Sequence, residues 1–378
     1  RCSAHGWCHN ATCQSHLDCP ESDRCHDGRC LGRVDNAAGV QFERTYIDGL
    51  DEHFSTASHV DEFTGGTGFG MALLDIDGDY DLDVYLGSEG TTPACLYENL
   101  SRPTQLRFRA LEDYCDPPSN RWHGGVSIDL EGDGIHELIR FGPALLELQT
   151  FQPTPRTQNL FDEFTAEDPR RQCNPGSALP HDFNYDGRID LMVGCHFDMF
   201  HGPIEYFNNL LFLQDEEGRL RIVDPDTWAR GESILQTLQG STLAIGAADL
   251  NDDGLIDLMI SEDRLAEGII TEPDPGGVYF ACAPDEPCRF RVERFAPSTG
   301  FNGAYMGTGV LRLGDHAAHH VYVTDMRDNL LIRRTDSGFR NLARHSNSGL
   351  GFLGGVTIFS WGIVVDDFDF DHQDDLYV

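Results

Sequence analysis

One acidic motif occurs five times in this chain, and its repetition constrains the fold more than any other feature. Each copy places an oxygen-bearing side chain at positions 1, 3, 5 and 9 of a nine-residue segment, and a short apolar run follows. The first copy, Asp75 to Asp83, reads Asp-Ile-Asp-Gly-Asp-Tyr-Asp-Leu-Asp. A tight turn with alternating hard oxygens and a backbone carbonyl at position 7 is typical of Ca²⁺ sites, which use 6–8 oxygens. The motif therefore predicts five calcium-binding loops.

The predicted ligands are the side chains of positions 1, 3, 5 and 9 and the carbonyl of position 7. In chain order they are Asp75, Asp77, Asp79, Asp81 and Asp83; Asp129, Glu131, Asp133, Ile135 and Glu137; Asp182, Asn184, Asp186, Arg188 and Asp190; Asp249, Asn251, Asp253, Leu255 and Asp257; and Asp367, Asp369, Asp371, Gln373 and Asp375. Repulsion among the close carboxylates is relieved when the ion binds. Each loop is named below by its first residue.

The spacing of the loops predicts a repeat protein. The first four loops start 53 to 67 residues apart, whereas the gap from Asp249 to Asp367 is 118 residues, nearly twice as long. A sixth copy is therefore expected in that gap, where a shift of 63 residues lays 246–249 on 309–312. A fixed period of this length is typical of propeller blades or solenoid turns.

This sixth copy, the silent unit, has lost its acidic ligands. The residues at its ligand positions are Arg312, Gly314, His316 and His320. Either the Arg312 guanidinium supplies the positive charge that calcium supplies elsewhere, or the loop is simply neutral.

The residues around the loops indicate strands rather than helices. An EF-hand needs a glutamate at position 12 and a following helix. Position 12 is instead Leu86, Arg140, Val193, Ile260 or Val378. Short β-type runs, such as 124–128 before a loop and 191–193 after one, flank the motif. Each unit is therefore expected to be a strand, a metal loop, a second strand and further, more polar strands.

The first unit resembles a known repeat. The pattern Gly-x-Ala-x-x-Asp-x-Asp-Gly-Asp-x-Asp-Leu-Asp-Val, from Gly70 to Val84, is similar to the FG-GAP/VCBS repeat of calcium-binding β-propellers. The segments 96–99 and 206–209 are similar to the leucine-tyrosine-x-asparagine segment that follows that loop, and 40–45 resembles the opening strand of cartilage acidic protein-like propellers. The resemblance covers about residues 35–378 and implies an all-β β-propeller of six to seven four-stranded blades that binds Ca²⁺.

The cysteines divide the chain into two expected domains, a Cys-rich module over residues 1–33 and the propeller over 34–378. Twelve cysteines indicate an oxidising, extracellular location, secreted or at the cell surface. Six are expected to form disulfides of open connectivity in the module: Cys2, Cys8, Cys13, Cys19, Cys25 and Cys30. Zinc is the alternative there, because His5, His9, His16 and His26 lie among them. The others fall in local pairs, Cys95 with Cys115, Cys173 with Cys195 and Cys282 with Cys288.

Charge and hydropathy exclude two classes of partner. The net charge is -36, and nucleic acid binding requires Lys and Arg to neutralise phosphates. Anionic membranes are disfavoured for the same reason, and no apolar run approaches the roughly 20 residues of a membrane helix.

Little in the sequence indicates catalysis. The chain has no HExxH, GxSxG, P-loop or dinucleotide motif. The pair His196 and His201 is interpreted as surface or strand-end histidines, with a metal or catalytic site as the alternative. A second group, His316, His319 and His320, is interpreted as a decayed calcium loop. The inserts 143–172 and 261–289 are expected to form a binding rim, since function concentrates in connections on a rigid scaffold.

Three functional classes stay open. The first is a secreted, non-catalytic binding or cell-adhesion module for glycan or extracellular protein ligands. The second is a self-assembling subunit of a matrix or filament, and the third is a polysaccharide- or lipid-cleaving enzyme. The sequons at Asn10 and Asn99 are glycosylation sites only in a glycosylating host.

Closure of the propeller gives a last expectation. The sixth unit reaches its loop at Asp367, so its blade lacks outer strands, and the segment near 40–47 can supply one of them. An open propeller would leave sheet edges exposed. One to two further blades are therefore expected after Val378, or a strand from another copy.

Overall fold

The protein is all-β, with a few short helices. The computed structural model describes residues 23–26, 29–32, 47–50, 70–88, 93–102, 105–117, 124–142, 145–196, 207–230, 239–263, 277–281, 290–294, 305–313, 319–325, 328–335, 338–343, 352–353, 356–357, 362–368 and 374–378. The helices among these described residues are the 3-10 turns Glu112–Tyr114, Leu160–Glu163 and Pro169–Gln172 and the α-helix Pro225–Trp228. None of the described helices is long and apolar enough to span a bilayer.

Six antiparallel sheets follow one another along the chain. Sheet one contains β3 (Met71–Leu74), β4 (Asp83–Leu86), β5 (Cys95–Asn99) and β6 (Phe108–Ala110). Sheet two contains β7 (Gly124–Ile128), β8 (Glu137–Gly142), β9 (Leu145–Thr150) and β10 (Arg156–Asn159). Sheet three contains β11 (Asn174–His181), β12 (Asp190–His196), β14 (Leu210–Gln214) and β15 (Leu220–Ile222).

The remaining sheets continue the pattern. Sheet four contains β18 (Thr242–Ala248), β19 (Asp257–Glu262), β20 (Gly277–Ala281) and β21 (Phe290–Arg294), and β16 (Ala229–Arg230) pairs in parallel with β21. Sheet five contains β22 (Tyr305–Arg312), β23 (His319–Asp325), β24 (Leu330–Thr335) and β25 (Gly338–Asn341). Sheet six has the described strands β28 (Val364–Asp366) and β29 (Asp375–Tyr377).

Three two-stranded pairings lie outside these sheets. They are β1 (Asp23–His26) with β2 (Arg29–Gly32), β13 (Phe207–Asn208) with β17 (Gln239–Gly240), and β26 (Phe352–Leu353) with β27 (Val356–Thr357).

Each sheet confirms the predicted order of strand, loop and strand. The strands hydrogen-bond in chain order, and each acidic loop joins the first strand of its sheet to the second. The silent unit is present where the spacing predicted it, since Arg312 pairs with His319 and Val310 with Val321. The second strands of sheets one to five are almost wholly buried, as in Asp83–Leu86 and Asp190–His196, which explains their continuous apolar character.

Successive sheets pack first strand against first strand. β3 contacts β7, β7 contacts β11, β11 contacts β18, β18 contacts β22, and β22 contacts β28. Glycine permits the closest approaches: a Cβ at Gly246 would lie 2.5 Å from Cγ2 of Thr308, and one at Gly309 would lie 2.6 Å from Cγ2 of Ile363. The apolar core therefore runs between the sheets, and the loops lie together at one edge of the array.

The first and last sheets each expose an apolar face. Between sheets five and six, Ile363 packs on Gly309. In sheet one, the residue equivalent to Ile363 is Met71, which is 59% exposed, and Leu73 on the same face is 47% exposed. In sheet six, the residue equivalent to Gly309 is Val364, which is 52% exposed. The two exposed faces are thus the two halves of one kind of inter-sheet interface.

Two expectations about connections are corrected or limited by the structure. The insert 143–172 is not a loop-rich rim, because residues 145–159 form β9 and β10 and the buried Leu160 and Phe161 begin a 3-10 turn. Of 261–289, the described residues are 261–263, at and just beyond the end of β19, and β20. Of the segment 40–47, the described residue Ile47 packs against sheet one, and Asp48 bridges to Arg107 there.

Candidate metal centres

The four loops between Asp75 and Asp257 share one backbone shape. In each, the residues at positions 4 and 6 have positive φ, and they are Gly78 and Tyr80, Gly132 and Gly134, Tyr185 and Gly187, and Asp252 and Gly254. Glycine or Asn/Asp-like residues favour this left-handed conformation, and two such positions reverse the chain tightly. In the Asp75 loop the reversal brings the side chains of positions 1 and 3 close to that of position 9.

The position-1 carboxylate organises each loop by accepting backbone hydrogen bonds. Asp75 accepts from the amides of Gly78 at 2.7 Å and Tyr80 at 2.9 Å. The other described loops repeat the pattern, with Gly134 at 3.0 Å from Asp129, Gly187 at 2.8 Å from Asp182 and Gly254 at 2.8 Å from Asp249. Position 5 accepts from the amide of position 7 in the same way, as in Asp79 with Asp81 at 3.0 Å.

The position-9 carboxylate joins the loop to the sheet. One oxygen of Asp190 accepts from the amide of Phe183 at 3.0 Å, and the other accepts from the amide of Gln214 in β14 at 2.9 Å. Asp257 contacts Leu250 and Ala281 in the same way, both at 2.9 Å. The sequence predicted these acids as ligands only. Their second role, which we call the latch, was missed because it depends on the third strand.

Burial changes the ionisation of the latch carboxyls. It is the largest cause that raises the pKa of Asp83, Asp190 and Asp257 to about 6 and that of Glu137 to about 7. Amide donors lower these values in part, and neighbouring loop carboxylates raise them again. Burial, followed by the charge of Asp79, also raises the pKa of Asp77 and of Asp81. A divalent cation would relieve this strain by favouring the ionised forms.

The donor set fits calcium. Asp75, Asp77 and Asp83 place carboxylate oxygens within 4.8 Å of one another. All other predicted side-chain ligands are carboxylates or the amides of Asn184 and Asn251, the hard-oxygen donors that Ca²⁺ prefers. Residues of the Asp75, Asp129, Asp182 and Asp249 loops would therefore hold the ion, which when bound would supply positive charge to fix the loop.

An arginine side chain contacts the Asp182 loop. The guanidinium of Arg188, at position 7 of the Asp182 loop, pairs with the position-5 ligand Asp186 and also donates to the Gln214 carbonyl at 3.1 Å. The sequence analysis assigned only the Arg188 carbonyl to the site. An arginine at position 7, close in sequence to the four side-chain ligands, was the sequence signal for this second contact. The positive charge of Arg188 reduces the net negative charge of the loop.

The Asp367 loop is described at its two ends. Phe368 donates its amide to Asp375 at 3.0 Å, which repeats the position-9 hydrogen bond within the loop. The predicted ligands Asp369, Asp371 and Gln373 lie outside the described residues.

The silent unit directs Arg312 toward the following unit. Its amide donates to Asp374 at 2.6 Å, and its Nε lies 3.9 Å from the same carboxylate. Arg312 thus lies beside a loop of the next sheet, where its charge offsets an acid, and both interpretations of the silent loop stay open. His320 is buried in β23, and Gly314 and His316 lie outside the described residues.

Two predicted disulfides are confirmed. Cys95 is bonded to Cys115 and Cys173 to Cys195, each within one unit. Such bonds indicate an oxidising environment. Cys25 and Cys30 lie opposite each other across the β1–β2 hairpin. The remaining predicted cysteines, Cys2, Cys8, Cys13, Cys19, Cys282 and Cys288, lie outside the described residues, as do Asn10 and His201.

Asn99 has a structural role that the sequon obscures. Its Nδ2 donates to the Leu82 carbonyl at 3.0 Å, and its Oδ1 accepts from the Ser101 amide at 3.0 Å. Its own amide donates to the latch acid Asp83 at 2.8 Å. The asparagine therefore closes the loop onto β5, whatever the host attaches to it.

The opposite edge of the sheets carries a different polar group. His196 ends β12 and is buried, and its Nε2 lies 3.5 Å from Asp263 of the neighbouring sheet. The hydroxyls of Ser177, Ser241 and Thr242 are buried without a hydrogen-bond partner among the described residues. The prediction of a strand-end histidine is confirmed for His196, which contacts a carboxylate rather than solvent.

Comparisons with known proteins do not name a family. No protein-family model matches the sequence, and no curated protein matches it. Among solved structures, the chain is similar to an Agrocybe aegerita lectin that specifically recognises non-reducing terminal N-acetylglucosamine, with a TM-score of 0.44 and 13% identity. The match covers 72% of this chain and 65% of the lectin chain. A similarity at this level does not define a fold or a ligand.

Proposed function

We propose that this chain is a calcium-stabilised β-propeller of the FG-GAP/VCBS type that acts outside the cell as a non-catalytic binding or adhesion module. The repeated loop carries the proposal. Four described loops have the same left-handed positions and the same carboxylate hydrogen bonds, and three of them, those starting at Asp75, Asp182 and Asp249, have a latch to the third strand. Sheets packed through their first strands, with meander order, are the arrangement of propeller blades and support a radial array.

The edge opposite the loops is the proposed ligand-facing edge. His196 lies about 20 Å along β12 from the Asp182 loop, as estimated from roughly 3.3 Å per residue. Buried polar residues lie at or just beyond the ends of second strands at this edge, including Ser88, Glu262 and Asp325. Carboxylates, imidazoles and hydroxyls bind sugar hydroxyls or cationic protein groups. Five Ca²⁺ would offset only ten of the 36 excess negative charges, so a neutral glycan or a basic protein is the favoured ligand.

A glycan array tests this function. Protein in calcium is expected to bind neutral glycans more strongly than sulfated or sialylated ones, and excess chelator is expected to abolish the binding. The proposal would be contradicted if the protein bound no neutral glycan in calcium, or if it bound neutral glycans equally well in chelator. Incubation of any bound polysaccharide with the protein tests the enzymatic alternative, for which turnover is the diagnostic result.

Self-association is the second candidate, because the exposed Met71 and Leu73 face is the complement of the exposed Val364 face. Head-to-tail contact of these faces would give an open assembly. Sedimentation velocity in calcium tests it: oligomers that disappear in the Met71→Asp and Leu73→Asp double variant would support a filament subunit, and a monomer at all concentrations would exclude it.

A further inference from the structure

Each loop is held by the unit that follows it, and position 8 makes most of these contacts. In the Asp129 loop this residue is His136. Its Nδ1 accepts the Asp75 amide at 3.2 Å, and its own amide donates to the Asp75 carbonyl at 2.7 Å. The first ligand of one loop is thus fixed on both sides by the next loop. Gln152, also of the second unit, donates to the carbonyl of Asp77 at 3.2 Å.

The same link recurs along the array. Ile256, at position 8 of the Asp249 loop, donates its amide to the hydroxyl of Tyr185 in the preceding loop at 2.6 Å. Gln214 makes the junction between the Asp129 and Asp182 units, where its Nε2 donates to the Leu130 carbonyl at 2.7 Å. The amide of Gln214 also binds the latch acid Asp190, so this junction connects one loop directly to the ligand set of the next.

The silent unit keeps the link although its ligand positions have changed. His319, at its position 8, hydrogen-bonds through Nδ1 to the Asp249 carbonyl at 3.0 Å, in which the imidazole donates. On its other side, the amide of Arg312 donates to the carboxylate of Asp374 at 2.6 Å, and Asp374 is at position 8 of the last loop. A unit without calcium ligands that retains both contacts connects the loops on either side of it.

We propose that the calcium loops form one coupled array, in which the ion held by each unit also orders the loop of the preceding unit. This inference rests on the proposed calcium sites. The carbonyl of position 7 is a ligand, so an ion fixes the peptide that carries position 8. A fixed position 8 then holds the ligands of the preceding loop in place. Coupling of this kind is reciprocal, so each loop raises the affinity of its neighbour by the same factor.

Terbium, a luminescent substitute for calcium, gives a reading from one loop. Tyr80, at position 6 of the Asp75 loop, is 95% exposed and can sensitise an ion there. The part of the tyrosine-excited signal that Tyr80→Phe removes is assigned to this loop. Asp133→Ala, which removes a ligand from the next loop, is expected to weaken terbium binding at the Asp75 loop about threefold to tenfold, the effect of roughly one hydrogen bond. The matched variant Asp253→Ala changes a loop two units beyond the Asp129 loop, so its effect at the Asp75 loop is expected to be much smaller than that of Asp133→Ala.

The link itself is tested by His136. His136→Ala is expected to weaken the Asp75 loop to a similar extent, and Asp133→Ala then adds little, because both changes break the same connection. His136→Asn, whose amide oxygen can accept the Asp75 amide, restores part of the affinity. If Asp133→Ala does not fold, Asp133→Asn keeps the bond to the Ile135 amide and serves in its place.

The outcomes separate the two proposals. An Asp75 loop whose affinity is unchanged by Asp133→Ala, while metal analysis shows one ion lost, overturns the coupling and leaves the calcium sites intact. Fully additive effects of His136→Ala and Asp133→Ala also overturn it. A wild-type protein that takes up neither calcium nor terbium overturns the calcium proposal and the coupling with it.

Discussion

Calcium binding is expected to release protons at mildly acidic pH, because the latch carboxyls of the calcium-free protein ionise late. Burial raises the pKa of Asp83, Asp190 and Asp257 to about 6 and that of Glu137 to about 7. A bound cation keeps these groups ionised and displaces any proton that they carry. At pH 6.0 three groups are about half protonated and Glu137 is about nine-tenths protonated, so roughly two protons leave per molecule. At pH 8.0 the same reasoning gives about 0.1 proton.

Isothermal titration calorimetry measures this release. Calcium is titrated into chelator-treated protein in two buffers of different ionisation enthalpy, and the difference in heat gives the number of protons. Asp190→Asn is expected to release about half a proton less at pH 6.0, from the same pKa values. Asp252→Asn, which changes a loop acid outside the ligand set, is the control and leaves the number unchanged. Heats that do not depend on the buffer at pH 6.0 would refute the reasoning.

The same pKa values determine how the stability of the calcium-free protein depends on pH. A carboxyl with a raised pKa penalises folding once it ionises. Its favourable contribution is therefore complete below about pH 4 and is lost as the pH rises to about 6–7. In chelator, the free energy of unfolding measured with urea is thus expected to receive a larger contribution from these loops at acidic pH. Calcium affinity, in contrast, is expected to fall below about pH 6.

Three further substitutions test the fold around the loops. Arg140→Ala leaves Asp116 and Glu147 without their buried partner and is expected to lower the free energy of unfolding by about 3 kcal/mol. Arg140→Lys is expected to recover part of this loss. A loss of less than about 1 kcal/mol would mean that the pair behaves as an exposed one. Replacing Cys173 and Cys195 together by alanine removes a bond that spans 22 residues and is expected to cost about 2–4 kcal/mol in chemical denaturation. In a host that does not glycosylate, Asn99→Ala is expected to lower the free energy of unfolding by about 1–2 kcal/mol, because the contacts with Leu82 and Ser101 are lost. An unchanged stability would mean that the residue matters only as a sequon.

The strands and loops were predictable because their determinants are local. Position-1 aspartates follow β-type runs, and glycine occupies one or both of the left-handed positions 4 and 6 in each of the four loops, although Tyr80 and Tyr185 take the other position in two of them. The period alone located the silent unit, whose strands pair Arg312 with His319 although its ligands are gone. The disulfides within sheets one and three were predictable for the same reason, since each pair lies within one unit.

Contacts between sheets were not predictable, since they depend on which side chains the array brings together. Nothing local marks His136 as a partner of Asp75 or Gln214 as a partner of Leu130. The insert 143–172 was interpreted as a rim because it was read as a loop-rich connection on the scaffold. Its alternation of Leu146 and Leu148 with Glu147 and Gln149 was the strand signal, and both leucines are buried.

Native mass spectrometry of the protein with calcium tests the central claim most directly. The account predicts five bound Ca²⁺, one for each acidic loop and none for the silent unit. Asp79→Ala and Asp253→Ala are each expected to reduce the count to four, and excess chelator to zero with a lower melting temperature, since ligand binding stabilises the folded state. A protein that binds no calcium, or whose melting curve is the same in chelator, would contradict the account.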